Sequence, residues 1–194
     1  MGRMKTRMMS YWIIFAKIFE VAGWQMCKDC QKFIEKKSKI LDLGCGSGLV
    51  GKIFQDYFQA DVRGVDVKDW RVSSIPFHKI DGLHLPFPEK SFDTTLINYV
   101  LHHSADPVGL LREAKRVTKG NIVIYEDLSE GFISKWWCKM HSGLTVGLLK
   151  HKNKPSFKTE EEWKKIFEKL GLKTIFQKGV NFFPAKRELF ICRA

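Results

Sequence analysis

A chain of 194 residues and 22.5 kDa is long enough to bury one sizeable core and too short for two full catalytic domains. Its 44% hydrophobic and 28% charged residues, with 15 Gly and only 6 Pro, exclude a disordered, collagen-like or low-complexity protein. The formal charge of +12 is carried entirely by the flanks, since residues 1–40 hold +6, residues 41–127 hold −2 and residues 128–194 hold +8. A basic excess of this size asks for an anionic partner, or else marks solvated faces on either side of a standard central unit.

Residues 11–24 are mostly apolar, but the run is about 14 residues long and broken by Lys17 and Glu20, short of the roughly 20 that a spanning helix needs. It is predicted as an amphipathic helix. Either it covers the core or the substrate as part of a lid over residues 1–38, or it lies on a bilayer with Arg3, Lys5, Arg7 and Lys17 near the head groups. The five cysteines, at 27, 30, 45, 138 and 192, are odd in number and irregularly spaced, and no secretory leader is seen before them. That pattern fits reduced thiols in a cytoplasmic protein. Cys27 and Cys30 form a lone CxxC without a second pair, so no metal site is expected there.

From residue 40 the pattern becomes strand, glycine turn, helix. Ile40 to Leu43 read as a short buried strand, Gly44-Cys45-Gly46-Ser47-Gly48 as the turn, and an apolar-periodic helix runs through Phe58. Further strands are predicted at Val62–Asp66, Phe77–Asp81 and Phe92–Val100. Asp106 and Pro107 supply an N-cap and a first-turn proline for a helix through Lys119, which Gly120 ends before a fifth strand, Ile122–Tyr125. Residues 128–157, with Trp136, Trp137 and several lysines, read as a cap over the substrate. Thr159 and Glu162 make a capping box for a helix to Leu170, and Lys173–Val180 with Glu188–Cys192 close an antiparallel hairpin. The alternation predicts a single α/β domain, doubly wound on a mostly parallel seven-stranded sheet.

A glycine turn at a strand's carboxyl end exposes unpaired N–H groups and the positive end of a helix dipole, so an anionic group belongs there. Asp66 closes the second strand where a carboxylate can accept from both hydroxyls of a ribose, and Asp81 closes the third where it can accept from an exocyclic amine. Two cofactor classes fit. Residues 46–51 read GxGxxG with Asp66 about 20 residues on, as a dinucleotide site requires. Against this, Asp42 sits two residues before Gly44, where a buried carboxylate suits a cationic ligand better than a pyrophosphate.

The stretch Leu41-Asp42-Leu43-Gly44-Cys45-Gly46-Ser47-Gly48 resembles the first motif of the class I S-adenosylmethionine-dependent methyltransferases. Residues 81–93, beginning Asp81-Gly82-Leu83-His84, are similar to that family's adenine-site segment, and Leu101-His102-His103 before Asp106-Pro107 to the subgroup that methylates small molecules and lipids. The resemblance covers residues 38–127 and the terminal hairpin. It implies a Rossmann-like fold and S-adenosylmethionine as cofactor, with S-adenosylhomocysteine released. By the same token Asp42, Gly44, Cys45, Gly46, Ser47 and Gly48 would hold the methionine portion, Asp66 the ribose, and Asp81, Gly82 and Val67 the adenine. Asn98 and Tyr99 would lie near the transferring methyl group, and His102, His103 and His141 are the candidate bases. Only 14 residues separate Asp66 from Asp81, too few for the full helix the family places there. After the fourth strand stands Asn98-Tyr99-Val100-Leu101 and not the Asn/Asp-Pro-Pro-aromatic tetrad of amino-methylating nucleic-acid enzymes, which disfavours base methylation, while the aromatic and basic flanks favour an apolar or anionic small molecule or a lipid. A non-catalytic protein binding the same nucleoside is the alternative from another class.

Overall fold

The computed structural model describes residues 17, 19–149, 155–182 and 185–194. Seven strands form one sheet in the order β3-β2-β1-β4-β5-β7-β6. They are β1 (Lys39–Leu43), β2 (Asp61–Asp66), β3 (Phe77–Lys79), β4 (Phe92–Asn98), β5 (Thr118–Leu128), β6 (Lys173–Phe182) and β7 (Ala185–Arg193). The first five run parallel, and β7 pairs antiparallel with both β5 and β6, as the predicted topology has it.

Successive side chains of a strand point to opposite faces, and the apolar runs here feed two separate cores. On one face Leu41, Ile97, Ile122 and Ile124 pack with helices α3 (Pro107–Val117) and α5 (Glu160–Lys169) through Leu111, Ala114, Trp163 and Phe167. On the other, Ile40, Leu96, Val123 and Tyr125 meet helix α2 (Leu49–Phe58) and the N-terminal helix α1, residues 19–30. The described part of the predicted lid is therefore a layer of the core. Met26, Cys27, Cys30 and Ile34 are buried in it, and the Asn121 side-chain amide donates to the Phe33 carbonyl at 2.8 Å. Cys27 and Cys30 are free, and burial pushes both thiols up to about 12. Residues 1–16 lie outside the described residues.

Most predicted strand ends shift, β3 stopping at Lys79 before Asp81 and β5 and β7 running longer than expected, and two further changes bear on the turns. Helix α3 stops at Val117 instead of Lys119, because Thr118 leaves the helix to begin β5, its Oγ1 donating to the Ala114 carbonyl. Gly120 thus lies inside a strand, beside a register shift between Phe92 and Thr94 of β4. A Cβ at Gly120 would stand 2.6 Å from the Asp93 carbonyl oxygen, so the glycine is required by backbone proximity and not by a helix end. Gly120→Ala is expected to cost about 1–3 kcal/mol of stability, read as a lowered urea midpoint with unchanged slope. The second change is at β4, which ends at Asn98 because Tyr99 turns out of the strand with φ 58°. A single 3-10 turn, Leu101–His103, follows.

Candidate active site at the carboxyl edge of the sheet

Strand order reverses between β1 and β4, and in open α/β sheets the crevice outside that point is where ligands bind. The carboxyl ends of β1, β2, β4 and β5 bring Asp42, Asp66, Asn98 and Glu126 to this one edge. The glycine turn after β1 is tied down first. The N–H groups of Gly44 and Cys45 both donate to the Val65 carbonyl, at 2.8 and 3.0 Å, and the Gly46 N–H donates to Asp66 Oδ2 at 3.0 Å. Gly44 and Gly48 have φ of 74° and 70°, and a Cβ on either would stand under 2.5 Å from Val100 or Ser73, so neither position admits a side chain. Gly48 then caps α2.

Where the family's helix is missing, residues 67–76 form a loop that closes over the glycine turn. The N–H groups of Val72 and Ser73 donate to the Ser47 carbonyl at 2.9 and 3.3 Å, and Ser73 Oγ donates to the Gly48 carbonyl at 2.8 Å. The loop is itself braced by Arg71, paired with Asp69 at 2.9 Å and lying over the Phe77 ring. A short loop thus supplies the support that a longer crossover would give, and nothing in the sequence pattern marks Val72 and Ser73 for this part.

Asp42 is fully buried with Gly51 of α2 against it, and burial, then the Asp66 charge, pushes its carboxyl up to about 7 while the Gly51 N–H pulls the other way. Its Oδ2 has no hydrogen-bond partner among the described residues, and neither do Oδ1 and Nδ2 of Asn98, which follows the Leu43–Ile97 register pair on the neighbouring strand. Orphaned buried polar atoms are rare and ask for a partner from outside the protein. Here they offer an anion, an acceptor and a donor beside a glycine turn, which fits the ammonium and carboxylate of an amino-acid tail. Cys45 is buried, 2.8 Å from where a Cβ on Gly64 would stand, so its thiol packs against β2 and burial pushes it well up.

At the nucleoside end, Val67 Cγ1 lies 3.3 Å from the Cβ position of Gly82, so the two predicted adenine neighbours are brought together. Asp66 Oδ1 accepts from the Val67 N–H at 2.7 Å, which aims the carboxylate. Asp81 is exposed and turned onto its own loop: Oδ1 accepts from the N–H groups of Leu83 and His84, and Oδ2 meets His84 Nδ1 at 2.7 Å. The His84 hydrogen bond, with those two backbone bonds, holds the Asp81 carboxyl well below the usual carboxylate range. Most of its four lone-pair sites are thereby engaged, so the expected hold on an exocyclic amine would fall to what remains and to the loop backbone.

The histidines separate sharply. His102 is 1% exposed, and its Nδ1 meets Glu126 Oε2 at 2.6 Å, while Glu126 Oε1 accepts the Leu101 N–H at 2.7 Å. Burial pulls the His102 imidazolium down, but the Glu126 carboxylate outweighs it and holds His102 above its ordinary value. Its ring is stacked on Phe157 at 4.6 Å. His102 is therefore a clamp on the turn and not a base open to substrate. His103 is half-buried with its ring centroid 4.2 Å from that of His102. The side chain of His141 lies outside the described residues.

Sequence reasoning missed the polar cluster beneath this turn. Asp127 and Arg187, register partners on β5 and β7, are paired at 2.7 Å, and the Arg187 guanidinium lies over the Tyr99 ring at 4.8 Å. Burial pushes the Tyr99 phenol up to about 12. The signal available was the pair Glu126-Asp127 ending an otherwise apolar buried strand, where uncompensated charge has to find partners.

A glycine turn between the buried Asp42 at the end of β1 and Asp66 at the end of β2 stands at the switch point of this doubly wound sheet. A family model described as a methyltransferase domain matches residues 41–125, from β1 into β5. An uncharacterized methyltransferase of Schizosaccharomyces pombe is 31% identical over 125 residues, 53% of this chain and 45% of the relative. The ubiquinone biosynthesis O-methyltransferase of Dinoroseobacter shibae is 27% identical over 79% of this chain and 67% of its own length. Among solved structures, a chain from the complex of the Haloferax volcanii Trm112 methyltransferase activator with a methyltransferase shares the fold. Its TM-score is 0.71 at 18% identity, covering 95% of this chain and 96% of that one. The matched stretch, residues 41–125, is the part of the chain that holds the glycine turn, Asp66 and Asp81, and it is similar to methyltransferase domains. The chain spans about half or less of the length of the first curated relatives it matches.

Proposed function

We propose that the protein transfers a methyl group from S-adenosylmethionine to a small, largely apolar acceptor such as a phenol or a lipid-like ring. The observation that carries this reading is the set of orphaned buried atoms on Asp42 and Asn98 beside the glycine turn. When bound, the cofactor supplies a methyl group already activated on a sulfonium, so what is asked of the protein is alignment and exclusion of water. Asp42 and Asn98, with the backbone of Gly44, Cys45, Gly46, Ser47 and Gly48, hold the amino-acid tail. Asp66 accepts from the ribose hydroxyls, and Val67, Asp81 and Gly82 flank the adenine. Tyr99, fixed from below by Arg187, orients the end of β4 toward the acceptor. No nucleophilic side chain is needed. For a protonated acceptor His103 takes the proton, a part supported by its half-buried place on the turn that His102 clamps. The D. shibae relative, named for O-methylation in ubiquinone synthesis, supports a hydroxyl on an apolar ring as the acceptor.

Two measurements test this. Titration calorimetry should show S-adenosylhomocysteine binding, weakened at least about tenfold in Asp66→Ala, the loss of roughly one charge-assisted hydrogen bond or more. Unchanged affinity removes the ribose assignment, and preferential binding of nicotinamide nucleotides removes the whole reading. Incubation with labelled methyl donor and a panel of phenols, quinols and lipids should label an acceptor; binding without labelling of any would favour a non-catalytic nucleoside-binding protein.

A further inference from the structure

Helix α4 (Gly131–Leu149) carries a face that the methyl-transfer reading leaves unused. Its inner side is settled by Ser134 and Cys138, one turn apart, whose side chains both donate to the Leu128 carbonyl, and Ser134 Oγ also accepts the Lys186 N–H. The opposite side is apolar and open. Phe132 is 87% exposed and Trp136 54%, again one turn apart, with Ile133 and Met140 exposed along one flank. At 100° per residue Lys135 and Lys139, both exposed, fall on the other flank. Aromatic residues exposed in a line are not explained by solubility, and a stripe of this kind marks an interaction surface. Its partner is indicated by charge: residues 131–159 hold six lysines and no Asp or Glu. An apolar stripe edged with lysine matches a helix lying in the interface of an anionic bilayer, the aromatic rings at the acyl boundary and the ammonium groups among phosphates.

The position of the helix adds a second argument. The chain leaves the carboxyl end of β5 at Leu128 and returns to the same edge, where Lys158 bridges Leu128 and the Ser156 N–H donates to the His102 carbonyl at 2.8 Å. The segment that contains α4 is thus tied at Leu128 before the helix, and at Ser156 and Lys158 further along, to the edge that carries Asp42, Asn98 and His103. Among the described residues no helix is long and apolar enough to cross a membrane, so this contact is one of surface attachment. We infer that the outer face of α4 docks the protein on an anionic lipid surface, with the site's edge toward the bilayer. An acceptor dissolved in the lipid could then enter without crossing water, a consequence that rests on the methyl-transfer reading while the docking itself does not.

The test is co-sedimentation of the full chain with vesicles of phosphatidylcholine alone and with about a third of phosphatidylglycerol added, at low and physiological salt. The chain should pellet with the anionic vesicles only, and less as salt rises. The double variant Lys135→Glu/Lys139→Glu should lower the partition coefficient by about twentyfold or more, at roughly fivefold per lysine near an anionic surface. Phe132→Ser/Trp136→Ser should abolish pelleting, and both variants should still bind S-adenosylhomocysteine, which shows that they fold. Absence of pelleting at low salt overturns the inference, as does pelleting that both variants leave unchanged. A wild-type dimer in vesicle-free buffer that Phe132→Ser/Trp136→Ser converts to monomer also overturns it, since a second copy then covers the face. Vesicle binding with no affinity for S-adenosylhomocysteine in the wild type would keep the docking and sink the enzymatic reading.

Discussion

Asp42→Asn is expected to give a more stable protein that no longer holds the methyl donor. The wild-type carboxyl is fully buried with an unpartnered oxygen, and burial first, then the Asp66 charge, raises it from 3.8 to about 7. The sign follows from linkage. Between pH 3.8 and 7 the folded chain keeps a proton on Asp42 that the unfolded chain has lost, so this group's contribution to stability falls as pH rises through that window. Above pH 7 the penalty is complete, and three pKa units correspond to about 4 kcal/mol at 1.4 kcal/mol per unit, an order of magnitude only. Asparagine removes the charge at similar shape. Urea unfolding of the ligand-free proteins should therefore show Asp42→Asn ahead by a few kcal/mol at pH 8, the gap closing toward pH 4. In the proposed site the same carboxylate would be the counter-charge for a cationic ligand, so calorimetry at pH 8 should show S-adenosylmethionine bound at least about a hundredfold more weakly by the variant. Stability bought at the cost of binding is the signature of a functional site. If the variant binds the donor as the wild type does, Asp42 faces the core only.

How much of this could be read from the sequence depends on whether the signal was local. The seven strands and their parallel-then-antiparallel order followed from runs such as Ile40–Leu43 and Ile122–Tyr125. The Thr159–Glu162 capping box and the Asp106 cap on Gly109 are short-range hydrogen bonds that fix the same residues in structure. The glycine turn and Asp66 were legible for the same reason. Hidden were the contacts that need two distant segments in register. Asp127 and Arg187 are 60 residues apart and meet only because β7 pairs with β5. Gly120 looked like a helix stop, because its real constraint, the carbonyl of Asp93 on the neighbouring strand β4, has no local trace. Residues 1–38 read as a lid because an amphipathic helix shows that it must cover something, not what. Asp81 read as a ligand acid, while its nearest donors were the N–H groups of its own turn.

The buried His102–Glu126 pair sets the second large effect. Both side chains are within 1% of full burial, and each is the other's charge partner. Truncation in Glu126→Ala strips His102 of its counter-charge and the Leu101 N–H of its acceptor, and breaking such a pair from one side costs about 3–5 kcal/mol. A chain of this size has only about 5–15 kcal/mol in total, so Glu126→Ala is expected to be partly unfolded at 37 °C. Glu126→Gln is the more telling variant, because an amide oxygen can still accept from Leu101 while the charge is gone. His102 in the folded chain lies above its ordinary 6.5, so the ion pair's contribution is fully present below pH 6.5 and is lost as pH rises through the raised value. The urea midpoint of Glu126→Gln should therefore lag the wild type most at pH 6 and approach it toward alkaline pH. A lag that does not change with pH would mean that His102 is neutral throughout and the clamp is a plain hydrogen bond. Because the clamp fixes the turn that carries His103, Glu126→Gln should also lower kcat toward a hydroxyl acceptor while leaving S-adenosylhomocysteine affinity near its wild-type value, a split that general loss of folding could not produce.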